Sequence, residues 1–202
     1  MDMPIENTDI NNGKDKSYLR RRKLMLRRSL GETELINISE NVIKHIRSLS
    51  AYKNADVVYF YMAAGNEVNV TSLFEECIKM GKKCVFPRVI DNFLMEFFVV
   101  HALDELKEGY KGIREPDLNC SLYNKYDRES SIMLVPGAVF DRHGGRIGMG
   151  KGFYDRYIYS NRPDCLLGVC GEYQLEDKVP MDKNDIFMDM VVTEKGVYNG
   201  RL

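Results

Sequence analysis

A chain of 202 residues with 44% hydrophobic content can bury the core of one α/β domain or at most two small ones, and its formal net charge of −1 supplies no global field to draw nucleic acid or an anionic membrane. Its five cysteines, Cys77, Cys84, Cys120, Cys165 and Cys170, are scattered without a C-x-x-C pair, which argues against a disulfide framework or a zinc site and for reduced thiols in a cytosolic protein. No apolar run reaches the length of a membrane helix, and the polar, acidic start MDMPIENTDINNGK has no apolar centre of a secretory signal.

The first segment, residues 1–13, is expected to be a disordered tail, and residues 14–202 a single α/β domain of cytoplasmic location. Residues 15–30, DKSYLRRRKLMLRRSL, carry Tyr18, Leu19, Leu24, Leu26 and Leu30 at spacings that fit an imperfect amphipathic helix. A second helix is expected from Thr33, its candidate N-cap, to about Leu49, with Leu35, Ile38, Val42, Ile43 and Ile46 on one face. ADVVYFYM (55–62) is a short β-branched and aromatic run, hence a buried strand. NVTSLFEECIKMGKK (69–83) reads as a helix with Gly81 as its C-cap, and KCVFPRV (83–89) as a strand ended by Pro87. Strand, helix and strand form a βαβ unit with parallel strands.

LMEFFVV (94–100) is the next expected strand, residues 101–130 are a polar loop with turns, and SIMLVPG (131–137) is a buried strand. A glycine-rich stretch leads into FYDRYIY (153–159), read as the start of a helix; DCLLGVCG (164–171) and DMVVTE (189–194) are again strands. The alternation predicts one three-layer α/β domain with a mainly parallel central sheet of Rossmann-like kind, preceded by N-terminal helices. Sites in such sheets lie beyond the carboxyl ends of the strands.

Residues 144–156, GGRIGMGKGFYDR, hold five glycines. Gly145, Gly150 and Lys151 have P-loop spacing, but Gly152 stands where Ser or Thr would hold a metal, so this is not a Walker A motif. The physics of anion binding still applies, because glycines let successive N–H groups converge while Arg146 and Lys151 add charge and a helix starting near Phe153 adds its positive end. Asp155 is equally a Mg²⁺ ligand or a first-turn acid that complements the helix dipole. The eight cations of residues 14–28 form either a solvated face, an RNA-binding or localisation segment, or a source of phosphate contacts. Glu67, between a strand and a helix, is by itself an ordinary N-terminal acid, and Asp182, Asp185 and Asp189 are turn-forming acids.

LVPGAVFDRHGGRIGMGKGFYDRYI (134–158) resembles a long motif of the 5-formyltetrahydrofolate cyclo-ligase family: a V-P-G strand end, F-D, then a run of Arg, glycines and Tyr-Asp. Lys16 and Arg20, Glu67 and Val68, the G-K-x-x-x-x-P-R of 81–88, the G-I-R-E-P of 112–116 and the N-D and D-x-V-V-T-E of 184–194 match in the same order. The resemblance implies ATP- and Mg²⁺-dependent closure of 5-formyltetrahydrofolate to 5,10-methenyltetrahydrofolate, through a phosphorylated formyl group and with release of ADP and phosphate. It implies ATP contacts from Lys16, Arg20, Arg146, Gly148, Gly150, Lys151, Gly152 and Tyr154. Folate contacts are implied for Met62, Glu67, Met149, Gly150, Lys151, Gly152 and Phe153, with Glu67 bonding the reduced pterin or positioning the formyl group. Lys151, Arg146 and Glu67 take the catalytic roles, and Asp155 and Asp185 the metal. Met149, Phe153 and Asn184 depart from residues frequent in the family. The implied partner is a small, polyglutamylated folate, with no nucleic acid and no membrane; a monomer is expected for a domain of this size. Two other classes stay in view: a non-catalytic nucleotide- or RNA-binding protein using the basic helix, and an enzyme acting on sugar phosphates or CoA esters on a related scaffold.

Overall fold

The structure, a computed structural model, describes residues 15–125 and 128–200; the expected tail over residues 1–13 lies outside the described residues. Helices α1 (Lys16–Ser29), α2 (Glu32–Ser48) and α3 (Ser50–Asn54) lead into strand β1 (Val57–Tyr59), followed by α4 (Thr71–Lys79), β2 (Lys83–Val89) and β3 (Met95–Val99). Two short strands, β4 (Leu106–Glu108) and β5 (Arg114–Pro116), precede β6 (Ser131–Val135), β7 (Val139–Asp141), β8 (Arg146–Ile147) and α5 (Phe153–Ser160). Strands β9 (Cys165–Val169), β10 (Leu175–Glu176), β11 (Met190–Thr193) and β12 (Gly196–Asn199) complete the described chain.

The fold is α/β around a seven-stranded sheet in the order β12-β11-β9-β6-β1-β2-β3. Strands β2, β1, β6, β9 and β11 run parallel, and antiparallel β3 and β12 close the edges. Side-chain alternation sorts the parallel strands between two cores. Val58, Phe60, Ile132 and Leu134 pack with Ile46 of α2 and Leu73 and Phe74 of α4, while Val57, Tyr59, Met133 and Val135 pack with Tyr157 and Ile158 of α5. Both faces are thus covered, as a mostly parallel sheet requires. From β1 the chain goes toward β2, and from β6 it goes toward β9, so the connections diverge between β1 and β6 and a crevice opens beyond their carboxyl ends.

The βαβ unit holds as expected, with β1 and β2 parallel across α4. Gly81, at φ +72°, ends α4 in a Schellman turn: its N–H reaches Ile78 O at 3.1 Å and that of Lys82 reaches Cys77 O at 3.0 Å. Four sequence expectations need correction. Pro87 does not end its strand, which runs to Val89 opposite β3. Val85 O accepts from Phe60 N, so odd positions of β2 face β1; that strand has already ended at Pro87, which forfeits no ladder bond. Thr33 is not the cap of α2, which starts at Glu32 after Gly31, and Ser50–Asn54 forms a further helix. Residues 101–130 are not all loop, since β4 and β5 pair antiparallel there. Finally, part of the glycine stretch is strand: β7 and β8 form a hairpin, with β10 along its other edge.

Candidate active site

The hairpin divides the five glycines into two kinds. Gly144 and Gly145 turn β7 into β8, and the buried carboxylate of Asp141 organises them, accepting from His143 N and Gly145 N at 2.8 Å with Oδ1 and from Val179 N at 2.8 Å with Oδ2. A Cβ on Gly144 would come to 2.2 Å of Met188 O, and one on Gly145 to 2.4 Å of Asp141 Oδ2, so these two glycines serve packing. Residues 148–152 form the loop proper. Gly150 (φ +93°) and Gly152 (φ +67°) hold its left-handed turns, and Gly152 is the N-cap of α5, whose first-turn N–H groups open toward the loop.

Arg146, the first residue of β8, is 5% exposed. Its Nη1 donates to Pro136 O at 3.2 Å and its Nη2 to Asp155 Oδ2 at 2.9 Å, while Nε is buried without a partner. Asp155 Oδ1 also accepts from Ile186 N at 3.2 Å, which brings α5 against the turn that carries Asp185. Asp185 in turn is bonded by Lys16 Nζ and by Asp182 N.

The basic stretch forms helix α1. Lys16, Arg20, Lys23 and Arg27 recur at intervals of four, three and four residues, which is one helical face. That face turns inward. Lys16 holds Asp182 at 2.6 Å, and this pairing with Asp182 and Asp185 outweighs burial to raise its ammonium pKa. Arg20 Nε donates to Gly148 O at 2.8 Å, Lys23 Nζ to Tyr173 O and Leu175 O at 2.7 and 2.8 Å, and Arg27 Nη1 to Glu67 Oε1 at 3.0 Å. Arg22 pairs with Glu176. Arg21 and Arg28 are the described arginines of this stretch that stand exposed without an ion pair, so most of the charge is spent on contacts within the protein.

Glu67 lies in the loop between β1 and α4. Burial pushes its carboxyl above the ordinary range, against the opposing pull of the Ala64 N–H, 3.0 Å from Oε2, and of Arg27. Burial likewise raises the Tyr154 hydroxyl, and the negative charge of Glu67 adds to the effect; both residues line a common space.

That space is a cleft of about 270 Å³ at the carboxyl ends of β1 and β6. Of the residues expected at the site, Met62, Glu67, Arg146, Gly148, Met149, Lys151, Gly152, Phe153, Tyr154 and Asp155 line it. Lys16, Arg20, Gly150 and Asp185 do not; the Arg20 guanidinium lies against Gly150, supporting the loop. The opposite wall was given no site role in the sequence reading. It consists of Pro87, Val89 and Met95 from the β2–β3 pair, with Tyr110, Ile113 and Glu115 around the β4–β5 hairpin. The Tyr110 and Phe153 rings meet edge to face at 6.2 Å. The G-I-R-E-P match already pointed to this hairpin, and the spacing of cations in α1 could have singled out Arg27. Chemically, the cleft joins a cationic glycine loop with an adjacent pair of carboxylate-bearing segments to an apolar, aromatic slot: one end suits a phosphate chain and a divalent cation, the other a flat ring system.

A family model described as the 5-formyltetrahydrofolate cyclo-ligase family matches residues 12–194. The chain belongs to the 5-formyltetrahydrofolate cyclo-ligase family. It is therefore an enzyme of the ligase class. It is similar to a probable 5-formyltetrahydrofolate cyclo-ligase of Schizosaccharomyces pombe, with 28% identity over 79% of this chain and 85% of that one. It is 30% identical to the 5-formyltetrahydrofolate cyclo-ligase of Escherichia coli K12 over 71% of this chain and 81% of that one. Among solved structures, 5,10-methenyltetrahydrofolate synthetase of Aquifex aeolicus, studied by NMR, superposes with a TM-score of 0.81 at 35% identity, covering 93% of both chains. The family match over residues 12–194 takes in β4, β5 and the hairpin β7–β8. Among the described residues no helix is long and apolar enough to cross a membrane.

Proposed function

We propose that this protein closes 5-formyltetrahydrofolate to 5,10-methenyltetrahydrofolate at the expense of ATP, in the presence of Mg²⁺, and releases ADP and phosphate. The formyl oxygen attacks the γ-phosphorus and the bond to ADP breaks. N10 of the folate then attacks the activated carbon, phosphate departs with the former formyl oxygen, and N10 gives up its proton. The observation that carries this reading is the convergence of the glycine loop 148–152, Arg146, Lys151 and Asp155 with Glu67 and an apolar slot in a single cleft.

Such chemistry needs positioning and charge stabilisation rather than a protein nucleophile. Lys151, exposed at the cleft mouth, neutralises the transferring phosphoryl group. Arg146, whose Nε is buried and unpartnered, has donor capacity to spare for the same oxygens. Backbone N–H groups of 148–152 and the start of α5 cradle the phosphates. Lys16 and Arg20 reach the nucleotide or hold the loop that does. The carboxylates of Asp155 and Asp185 suit Mg²⁺, which takes one or two carboxylates together with phosphate oxygens and waters. When bound, the ion offsets charge on the phosphates; among the described residues no three His, Cys, Asp or Glu cluster, which fits a metal shared with the nucleotide. Glu67, both oxygens of which are engaged, orients the formyl-bearing end, and Met62, Met149 and Phe153 pack on the ring. The inward use of the α1 cations favours this reading over nucleic-acid binding. We place the protein in the cytoplasm as a monomer acting on polyglutamylated folate.

The test is one assay with ATP, Mg²⁺ and 5-formyltetrahydrofolate, read by ADP release and by the near-ultraviolet absorbance of the methenyl product. Folded protein that yields no product overturns the proposal. Asp155→Asn with unaltered Mg²⁺ dependence overturns the metal assignment.

A further inference from the structure

The cleft holds a third carboxylate, besides Glu67 and Asp155, to which the reaction above gives no role. Glu115 sits in β5, between Arg114 and Pro116, and is 6% exposed. Both Arg114 and Glu115 border the cleft, but alternation along the strand separates them: Arg114 is exposed and turns its guanidinium to Leu103 O and Leu106 O, whereas the Glu115 carboxylate is buried beside Gly109.

The surroundings of the three acids differ. Glu67 has Arg27 at 3.0 Å and a backbone N–H at 3.0 Å. Asp155 has Arg146 at 2.9 Å and a backbone N–H at 3.2 Å. Glu115 has a single backbone donor, Val89 N, at 3.3 Å from Oε1, and no cation bridges it among the described residues. Of the nearby cations, Arg88 donates to Pro116 O and Arg114 to Leu103 O and Leu106 O, while Lys111, also on the cleft wall, lies over the Tyr110 ring at 5.4 Å. The position is nevertheless built. The carboxylate rests on Gly109, where a Cβ would come to 2.4 Å of Oε2 and 2.7 Å of Cδ, so a side chain there would displace it. A buried carboxylate without a counter-charge is costly, and two N–H donors set side by side relieve that cost through charge-assisted bonds.

We propose that Glu115 is the anchor for the pyrimidine edge of the substrate, accepting hydrogen bonds from the ring N3–H and the 2-amino group of the reduced pterin, while Pro87, Val89 and Met95 cover the faces of the ring. The inference rests on the folate reading of the cleft and deepens it. It gives the two acids separate duties: Glu115 selects the 2-amino-4-oxo ring, and Glu67, whose oxygens are both in use, governs the formyl end. Glu115 is a binding and specificity residue and takes no part in phosphoryl transfer.

The test titrates the full-length protein calorimetrically, without ATP, with 5-formyltetrahydrofolate and with its 2-desamino-2-methyl analogue. The wild type is expected to bind the parent at least tenfold more tightly, because a site built to bond an N–H group penalises a ligand that lacks it. Glu115→Gln is expected to weaken the parent at least tenfold and to shrink the gap between the two ligands below threefold, with the KM for ATP unchanged. Glu115→Asp keeps the charge and is expected to retain an intermediate gap, which supplies the reading if the glutamine variant does not fold. Equal binding of the two ligands by the wild type, or a full gap in folded Glu115→Gln, overturns the proposal. Turnover separates the two readings: a wild type that forms methenyl product without discriminating between the ligands removes only the role of Glu115, whereas one that forms none removes the folate reaction itself.

Discussion

Arg20 Nε donates to Gly148 O at 2.8 Å, joining helix α1 to the glycine loop across 128 residues of sequence. Its guanidinium also lies near Gly150, 3.7 Å from where a Cβ would stand, so Arg20 supports the loop on this side. A hydrogen bond from a charged group is worth about 1.5–3 kcal/mol. Arg20→Ala is therefore expected to raise the KM for ATP by roughly 10- to 100-fold, with a smaller fall in kcat, because the loop must then be ordered at the cost of nucleotide binding. Steady-state kinetics with ATP varied at saturating folate checks this, and an unchanged KM would contradict it.

Lys151 occupies the same loop but has a different kind of consequence. It is exposed, and no packing depends on it. Lys151→Ala should leave stability within about 0.5 kcal/mol, as is usual for a surface change. Loss of one preorganised charge from the transferring phosphoryl costs roughly 10²- to 10³-fold in kcat. Thermal melts and single-turnover product formation on the same sample separate the two effects; a variant with near-normal kcat would show that the phosphoryl charge is carried elsewhere.

Arg27 and Glu67 give a pH signature. Burial holds the Glu67 carboxyl above its ordinary range, so the folded protein binds that proton more tightly than the unfolded chain does. The stability linked to such a group is fully present below the unfolded carboxylate range and is lost as pH rises through the folded value. Arg27→Met removes the cation that opposes this shift and leaves a buried, unpaired charge, a loss of about 3–5 kcal/mol at pH 8. Less should be lost at pH 5, where the carboxyl can take up its proton. Melting curves of wild type and variant across this range are expected to diverge as pH rises; parallel curves would mean that Glu67 does not carry the coupling.

The elements that sequence made legible are those set by local period or steric need. Val57 to Tyr59, the apolar face of α4 and the left-handed Gly81 each state their conformation within a few residues. Pro87 misled because its missing donor matters only if a neighbouring strand is there to accept, and β1 stops short of it. The loop side of the cleft was legible through its glycines and cations. The opposite wall was legible only as the G-I-R-E-P match, since Tyr110, Glu115 and Met95 meet when a polar hairpin folds across the β2–β3 pair, and local periodicity does not encode that approach. The α1 cations fall between these cases. Their helical spacing was visible, but whether that face points to solvent or to Gly148 and Glu67 is decided by the apolar residue Leu19 docking on Val139 and Ile147.

The two kinds of glycine in the stretch 144–152 should respond differently to the same substitution. Both Gly144 (φ +87°) and Gly150 (φ +93°) hold conformations that L side chains rarely adopt, so each alanine variant bears backbone strain of roughly 1–3 kcal/mol. At Gly144 the new Cβ also meets Met188 O at 2.2 Å, a backbone atom whose own residue is tied to Gly144 O by a 2.8 Å bond and cannot swing away. At Gly150 the nearest atom is the Arg20 guanidinium at 3.7 Å, an ordinary contact. Overpacking adds about 1–3 kcal/mol to the first variant and nothing to the second. Gly144→Ala should thus melt several degrees below Gly150→Ala, at roughly 2–4 °C per kcal/mol for a chain of this size. Gly150→Ala should instead show its main loss in the KM for ATP, because its strain falls on the loop that holds the phosphates. Equal melting losses with equal kinetic losses would show that the division between hairpin and loop does not govern function.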